Sequence, residues 1–390
     1  MIWLLGGSGA LFLALIIALV VAVWIYTEIL KNEVLELSWG DDPLDLRVSA
    51  LCDGSVTLES ATGKESRDWK SSGVFGLEWP GGYGQVGEIK AMGDGQVERE
   101  FVLLKGTLGV GDTVRLDSFA LPDDPQVAHG IAFDEVTFAS ELGDLPAWFV
   151  EGSRDTWAIF VHGKGANRRE ALRMLPTVVD AGLSALVITY RNDEGVQENH
   201  DRHYRYGATE WKDLRAAVDY AVERGAKRLV LIGYSMGGAI VTNYMLQTRP
   251  GELVLGVIMD SPALNLSAII EQESRSRGVP WLAARFGRLA IGWRSNLEWP
   301  LLNYLSRVNE LDVPILLFHG DRDQTVFVET SDAFAEARSD VVTYVRATDV
   351  DHVRSWNADR EGYEAAVREF LARVVGEKSS LAAMADEPVR

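Results

Sequence analysis

The segment from Arg228 to Gly238 reads Arg-Leu-Val-Leu-Ile-Gly-Tyr-Ser-Met-Gly-Gly. An apolar run of strand type stands directly before a G-x-S-x-G motif, and a stretch with a helical pattern follows over 236–248. A strand, a sharp turn and a helix in this order are typical of a nucleophile elbow, in which the serine hydroxyl projects above the carboxyl edge of a sheet. Unpaired N–H groups at the start of the helix can also stabilise an anion there. Ser235 is therefore the candidate nucleophile.

The alternation of apolar runs and helical stretches extends over residues 130–375. The predicted strands are 136–140, 147–151, 157–161, 184–189, 228–232, 256–260, 314–318 and 341–345, and the helical stretches include 168–181, 208–224, 236–248, 327–338 and 361–375. Near-continuous apolar strands alternating with helices predict an α/β fold with a mostly parallel central sheet and helices on both faces.

A serine hydroxyl needs a base to take its proton, so the histidines are the next candidates. His352 follows the last predicted strand and precedes the final helix, where a loop can return to the elbow. His162 and His319 each stand in a His-Gly step at a strand end and are interpreted as structural. The polar-loop pair His200 and His203 is interpreted as solvated surface rather than a metal site, and a sixth histidine, at 129, falls in a linker.

The base needs a carboxylate to orient it. Asp323 lies in the turn after the strand 314–318, on the sheet edge where Ser235 is expected. Asp321 lies nearer the turn and is expected to cap it, whereas Asp260, at the end of the preceding strand, is a rival for the role. We favour Asp323.

The chain order Ser235, Asp323, His352 is that of α/β-hydrolases. The sequences Gly-Tyr-Ser-Met-Gly-Gly (233–238), His-Gly-Asp-Arg-Asp-Gln-Thr-Val (319–326) and Asp-His-Val-Arg-Ser-Trp (351–356) resemble the catalytic motifs of α/β-hydrolase fold serine hydrolases. The step Phe-Val-His-Gly-Lys-Gly (160–165) is similar to the oxyanion loop of that family. The resemblance implies that the backbone N–H groups of Lys164 and Met236 form an oxyanion hole and that no metal or organic cofactor takes part.

Between the predicted strands that end at Asp260 and begin at Pro314 lies an insertion rich in Trp, Arg and Leu. In α/β-hydrolases such an insertion commonly forms a lid above the nucleophile, and we expect a lid over 261–311. Helices packed at the sheet edge are the alternative. After Val375, residues 376–390 are expected to form a mobile tail.

Residues 34–126 differ from the rest of the chain. Short β-favouring runs at 55–59, 73–79, 97–104 and 112–116 are separated by Gly and Asp turns, which predicts a small antiparallel β module or β-rich extension. The stretch Gly-Tyr-Gly-Gln-Val-Gly (82–87) fits the dinucleotide pattern G-x-G-x-x-G, but the next segment, 88–95, is too short and too glycine-broken for a crossover helix. We expect a glycine-rich hairpin there.

No charged side chain occurs from Met1 to Thr27, and the apolar run is long enough to cross a bilayer. We therefore expect a single-pass transmembrane anchor over 1–27. A cleavable signal peptide is the alternative, although the segment has no Lys or Arg before an apolar run that is long for this purpose. The side of the membrane stays open, since only the α-amino group and Lys31 supply positive charge nearby.

The composition excludes several classes of partner. With 38 Lys and Arg against 57 Asp and Glu, the formal net charge is −19, so the surface repels nucleic acid, and membrane attachment has to come from apolar insertion rather than a basic patch. The single cysteine, Cys52, can form no intrachain disulfide and no Cys-based zinc site, and we interpret it as a small core residue.

The sequence thus predicts a membrane-anchored serine hydrolase that acts on a small-molecule or lipid-like carboxylic ester. The motifs also resemble those of serine aminopeptidases and prolyl-oligopeptidase-like proteins, so an amide or peptide substrate is the first alternative. The second is a non-catalytic protein whose β module binds a partner, which a complete set of three catalytic-type residues disfavours.

Overall fold

The computed structural model describes residues 2–37, 43–63, 68–196 and 202–385. Its main sheet has eight strands in the order β14-β13-β12-β11-β9-β10-β8-β7. These strands are β7 (Asp134–Ser140), β8 (Gly143–Val150), β9 (Thr156–Val161), β10 (Ser184–Ile188), β11 (Arg228–Tyr234), β12 (Val254–Asp260), β13 (Ile315–Gly320) and β14 (Val342–Ala347). The six strands from β9 to β14 pair in parallel, and only β7 and β8 are antiparallel, so the predicted mostly parallel sheet is confirmed.

Helices cover both faces of this sheet because its strands are apolar on both sides. Every residue of β9, β12 and β13 is buried, and neighbours such as Ile159 and Phe160 belong to hydrophobic clusters on opposite faces. The helices are α2 (Pro125–His129), α3 (Leu175–Asp180), α4 (Trp211–Glu223), α5 (Met236–Thr248), α6 (Leu266–Ser276), α7 (Trp281–Arg294), α8 (Val328–Ala337), α9 (Ser355–Ala358) and α10 (Arg360–Ala385), besides the N-terminal α1 (Ile2–Leu30).

The β-rich segment folds as a closed six-stranded barrel with the strand order β1-β2-β5-β4-β3-β6. Its strands are β1 (Leu46–Cys52), β2 (Ser55–Ser60), β3 (Phe75–Trp79), β4 (Gly82–Gly93), β5 (Gln96–Lys105) and β6 (Thr113–Asp117). All neighbouring strands are antiparallel, and inward side chains including Val48, Val56, Phe75 and Val86 form a hydrophobic core of its own. The predicted antiparallel β-rich extension is therefore confirmed.

Two details of the barrel bear on the sequence predictions. The stretch 82–87 begins β4 and pairs antiparallel with β3, so it forms one arm of the expected hairpin, which leaves no phosphate-binding turn before a helix. Cys52 ends β1 and is exposed, so its interpretation as a core residue is wrong, because the end of β1 extends past the barrel core.

The N-terminal helix is longer than the predicted anchor. α1 continues as a π-helix over Lys31–Leu35, and the helical span from Phe12 to Leu35 contains an 18-residue window with a mean hydropathy of 2.5. The predicted boundaries at 27 and 34 fall inside this helix because its last turns are buried against the α/β core through Tyr26, Leu30 and Val34. The first strand of the barrel begins only at Leu46.

Two further boundaries also differ from the sequence predictions. α10 continues to Ala385, through most of the segment expected to be a mobile tail, and residues 386–390 lie outside the described residues. The short helix α2 occupies the predicted linker because Asp124 caps it, accepting a hydrogen bond from the N–H of Val127 at 2.9 Å. The insertion 261–311 consists of α6, α7 and two 3₁₀ helices (Trp299–Leu302 and Tyr304–Glu310).

Candidate active site

Ser235 occupies a strained turn between β11 and α5. Its backbone has φ 48° and ψ −114°, a conformation that costs a non-glycine residue of order 1–3 kcal/mol. The turn closes tightly because a Cβ on Gly233 would lie 2.6 Å from the Gly237 carbonyl oxygen, and one on Gly237 would collide with the Val161 carbonyl oxygen. The N–H of Ser235 donates to the Asp260 carbonyl at 2.9 Å, which holds the turn against β12.

His352 lies between Ser235 and Asp323. Its Nε2 is 2.8 Å from Ser235 Oγ, and its Nδ1 is 2.6 Å from Asp323 Oδ2. Because an ionised carboxylate only accepts hydrogen bonds, Nδ1 carries the proton and Nε2 is left to accept from the serine hydroxyl. The three predicted residues are thus brought into one hydrogen-bonded series, with Asp323 buried and the His352 side chain 17% exposed.

Asp323 is held in its ionised form. Its Oδ1 accepts from the N–H groups of Thr325 and Val326 at 2.8 and 2.7 Å, and its Oδ2 lies 3.0 Å from His319 Nε2. Burial alone would raise the pKa of Asp323, but the electrostatic attraction and hydrogen bonds of His352 and His319 outweigh it and hold that pKa well below its usual range.

The rival carboxylates face other partners. Asp260 is fully buried, and its Oδ1 accepts from Ser261 Oγ at 3.2 Å, whereas both ring nitrogens of His352 are engaged by Ser235 and Asp323. Asp321 accepts from the N–H of Asp349 at 2.7 Å and pairs with Arg346, so it fastens the turn to β14, as expected of a capping residue.

The loop after β9 lies directly against Ser235. A Cβ on Gly163 would lie 3.2 Å from the Ser235 Cβ, so a larger residue there would push the loop and the nucleophile apart by a few tenths of an ångström. The N–H of Gly163 is already used, since it donates to Glu170 Oε2 at 2.8 Å. Lys164 follows Gly163 and Met236 follows Ser235 in the chain, and the backbone N–H groups of these two residues remain the predicted oxyanion donors.

A buried ion pair that the sequence did not reveal joins this loop to the loop carrying His352. Arg173 Nη2 is 3.3 Å from Glu170 Oε1, and Arg173 Nη1 donates to the Val353 carbonyl at 2.9 Å. Val353 has a left-handed φ of 52°, unfavourable for a β-branched residue, and its N–H donates to Ser261 Oγ at 3.1 Å. Both backbone polar groups of Val353 are therefore engaged beside His352.

The other histidines that the structure describes have structural partners. His162 is buried, with Nε2 2.8 Å from Asp193 Oδ2 and its ring stacked on Tyr190. Burial would lower the pKa of His162, but the Asp193 carboxylate raises it above its ordinary value. His203 forms an isolated β-bridge with Glu36, while His200 lies outside the described residues. Within the described ranges, no three His, Cys, Asp or Glu side chains are grouped to hold a metal ion.

The barrel also contacts the loop that carries His352. The carbonyl of Asn357 accepts from the N–H of Val74 at 2.8 Å, and its side-chain amide donates to the Val74 carbonyl at 2.7 Å. Arg354 Nη2 pairs with Asp68 at 3.2 Å. These contacts tie the barrel to residues within a few positions of His352.

Comparison with known families agrees with this geometry. Residues 158–387 match the model of the alpha/beta hydrolase family. The chain belongs to the α/β-hydrolase family. Family membership identifies the protein as a hydrolase, and the matched region includes Ser235, Asp323 and His352.

Solved structures are similar to the chain at low sequence identity. An esterase of Pyrococcus furiosus is 22% identical with a TM-score of 0.52, covering 65% of this chain and 95% of its own. Est1E of Butyrivibrio proteoclasticus is 19% identical with a TM-score of 0.47, covering 62% of this chain and 99% of its own. No curated protein sequence matches the chain.

Proposed function

We propose that the protein is a membrane-anchored serine hydrolase that cleaves carboxylic esters. The observation that carries the proposal is the hydrogen-bonded series Ser235–His352–Asp323, in which the serine hydroxyl lies 2.8 Å from an imidazole nitrogen. The Pyrococcus furiosus esterase among the similar structures supports the choice of an ester as the bond cleaved.

The residues act in two half-reactions. His352 Nε2 takes the proton of Ser235 as the serine oxygen attacks the acyl carbon, and Asp323 keeps the ring in the tautomer that this step needs. The same proton then passes to the leaving alcohol, which departs and leaves an acyl group on Ser235. Water, activated by His352, releases the acid and restores the serine.

The negative charge that develops on the acyl oxygen is stabilised by backbone donors. We assign this role to the N–H groups of Lys164, next to Gly163, and of Met236, next to Ser235, and one such donor contributes about 3–4 kcal/mol of transition-state stabilisation. The Glu170 carboxylate holds this loop in place by accepting a hydrogen bond from the Gly163 N–H.

Helix α1 is the proposed membrane anchor. Its side chains from Phe12 to Ile25 are largely exposed and apolar, with Phe12 at 66%, Val20 at 61% and Trp24 at 62%. Insertion of such a helix removes this apolar surface from water. The catalytic domain then lies at the membrane surface, which favours a lipid-like ester as substrate.

Activity-based labelling tests the enzyme assignment. A fluorophosphonate should label the full-length protein covalently, and Ser235→Ala should abolish both labelling and turnover of a chromogenic ester. Ser306→Ala, an exposed serine on a 3₁₀ helix, is the matched control and should change neither. Labelling that persists in Ser235→Ala would move the nucleophile elsewhere, and faster cleavage of an aminoacyl anilide than of the ester would make the protein an amide hydrolase.

A further inference from the structure

Helix α7, in the insertion 261–311, has one face packed on the protein. Ala283, Gly287 and Ile291 are buried, and Gly287 lets α1 approach closely, since a Cβ there would lie 2.5 Å from the ring of Tyr26. Arg294 Nη1 also donates to Glu28 Oε1 of α1 at 2.7 Å. α7 is therefore fixed against the last turns of the N-terminal helix.

The opposite face of α7 is an exposed apolar stripe. Leu282, Phe286, Leu289 and Trp293 follow one another at spacings of four, three and four residues, which places them on one side of a helix, and they are 37%, 43%, 52% and 86% exposed. Trp281, at the start of the helix, is 71% exposed. Soluble surfaces rarely carry an apolar patch of this kind unless it is covered by a partner or a membrane.

The charges of α7 suit a lipid surface. The helix contains two arginines besides Arg294 at its end and no acidic residue, although the whole chain carries a formal net charge of −19. Arg285 is exposed at the border of the stripe, and Arg285 and Arg288 both line a cleft of about 300 Å³ between α6 and α7. Guanidinium groups bind phosphate oxygens well, and arginine and tryptophan beside an apolar face are typical of helices that lie in the headgroup layer.

The neighbouring part of α1 indicates what covers the stripe. Trp24 and Ile25, which directly precede the contact between Tyr26 and Gly287, are 62% and 48% exposed. The exposed stripe of α7 thus adjoins α1, the helix proposed to enter the bilayer. The two helices meet at the level where the side chains of α1 change from exposed to buried.

We propose that α7 lies in the headgroup layer of a phospholipid bilayer, with its stripe in the acyl region and Arg285 and Arg288 at the level of the phosphates. The inference rests on the membrane anchoring proposed above. α6, which packs on α7, reaches the active-site edge, where Gln272 Nε2 donates to the Asp323 carbonyl at 3.3 Å. An ester dissolved in the bilayer would therefore reach the region beside Ser235 without first crossing bulk water.

Fluorescence quenching of the full-length protein in phosphatidylcholine vesicles tests this placement. In a Cys52→Ser background, a fluorophore is attached to a single new cysteine from Leu289→Cys on α7, Val20→Cys on α1 or Val127→Cys on α2. The adduct at Leu289 should be shielded from aqueous iodide about tenfold relative to that at Val127, and it should be quenched by nitroxide lipids. The adduct at Val20 should be shielded in the same way.

The three positions separate the outcomes. Shielding at Val20 without shielding at Leu289 would overturn the placement of α7 and leave the anchor intact, whereas iodide access at both would overturn the anchor and this inference with it. If neither iodide nor nitroxide lipids quench the adduct at Leu289, the stripe is covered by a protein surface, such as a second copy of this chain. That outcome would also overturn the inference.

Activity gives a second measurement that does not depend on the adducts. The rate on an ester embedded in vesicles, divided by the rate on a short soluble ester, should fall about tenfold in Leu289→Glu and stay unchanged in Val127→Glu. The ratio corrects for any loss of folded protein, which fluorophosphonate labelling counts separately. An unchanged ratio in Leu289→Glu would contradict the proposed placement.

Discussion

The Lys164 ammonium donates a hydrogen bond of 2.6 Å to the backbone carbonyl of Glu33. Glu33 belongs to the helical continuation of α1, and Lys164 follows Gly163, the residue that touches Ser235. One side chain therefore joins the end of the N-terminal helix to the loop beside the candidate nucleophile. Burial lowers the pKa of Lys164 to about 8, although the Glu33 carboxylate acts in the opposite direction.

Lys164→Met should loosen the proposed oxyanion loop. The methionine keeps the apolar stem but cannot donate to Glu33, so kcat on a soluble ester should fall about tenfold with little change in KM, since the oxyanion donor acts mainly in the transition state. As pH rises through about 8, the wild-type side chain loses its charge and the advantage over the variant should shrink. The measurement is kcat and KM for both proteins from pH 7 to pH 9.

Lys212→Met is the matched control, because Lys212 pairs at 3.1 Å with an exposed carboxylate, Glu141, away from the loop. It should leave kcat and KM unchanged. A Lys164→Met enzyme with wild-type kcat at every pH would show that the link to Glu33 does not position the loop.

The two buried aspartates at the sheet edge should differ sharply in function. Asp323→Asn replaces the carboxylate that fixes the His352 tautomer with a neutral amide whose NH2 group can donate to Nδ1, and a loss of about 10⁴-fold in kcat is expected. Asp260→Asn should keep most of its activity, because His352 makes its hydrogen bonds to Ser235 and Asp323. Steady-state kinetics on a chromogenic ester decide between them, and the reverse order of losses would make Asp260 the acid.

Sequence patterns predicted the residues of the candidate site because each of them stands in a local motif. Ser235, Asp323 and His352 each stand in a turn or loop that follows a strand. Because parallel strands end at one edge of a sheet, the sequence could place all three residues at that edge. The residues that hold these loops carry no such signal. In the sequence, Glu170 and Arg173 look like surface charges in a helical stretch. In the structure they are buried, and Arg173 donates to the carbonyl of Val353, which lies 180 positions later in the chain and could not be foreseen as a partner.

The N-terminal region shows a second limit. The hydropathy pattern predicted an apolar helix that ends near residue 27. The helix continues because one of its faces is buried by residues distant in the chain, and hydropathy cannot reveal such contacts. Tyr26 contacts Ser274 through its hydroxyl, and Leu30 is fully buried in the α/β core. In the barrel, the sequence predicted only a glycine-rich hairpin at 82–87 and not the full length of β4. Glycines and charged residues in β4 interrupt the apolar alternation that marks a strand.

The proposed membrane attachment through α1 should withstand salt and carbonate washes because it depends on apolar insertion rather than on charge. The full-length protein should stay in the membrane pellet in high salt and in alkaline carbonate, whereas a Leu15→Glu, Ile17→Glu, Val20→Glu variant should be released. All three side chains are exposed on α1, at 61%, 55% and 61%, so the substitutions should spare the fold. Immunoblots of pellet and supernatant measure the partition. Wild-type protein that is free in solution and begins near Val23 would instead identify the segment as a cleaved signal peptide.

The fully buried Asp260 should make stability depend on pH in an unusual direction. Burial raises the pKa of Asp260 to about 6, although the charges of Arg173 and His319 act against the rise. An aspartate in the unfolded chain titrates near ~3.9, so between these two values the folded protein binds more protons than the unfolded one. The contribution of Asp260 to the free energy of unfolding is therefore present at acid pH and is lost as pH rises through about 6.

Asp260→Asn removes this ionisation and isolates the effect. Relative to wild type, the variant should gain thermal stability as pH is raised from about 4.5 to about 7.5, because only the wild type then buries a carboxylate charge. The difference in Tm between the two proteins, measured in the same detergent at both pH values, should become more favourable to the variant at the higher pH. Asp94→Asn, which changes an exposed carboxylate in the turn between β4 and β5, should show the same Tm difference at both. A difference for Asp260→Asn that does not change with pH would mean that Asp260 is ionised in the folded protein throughout this range.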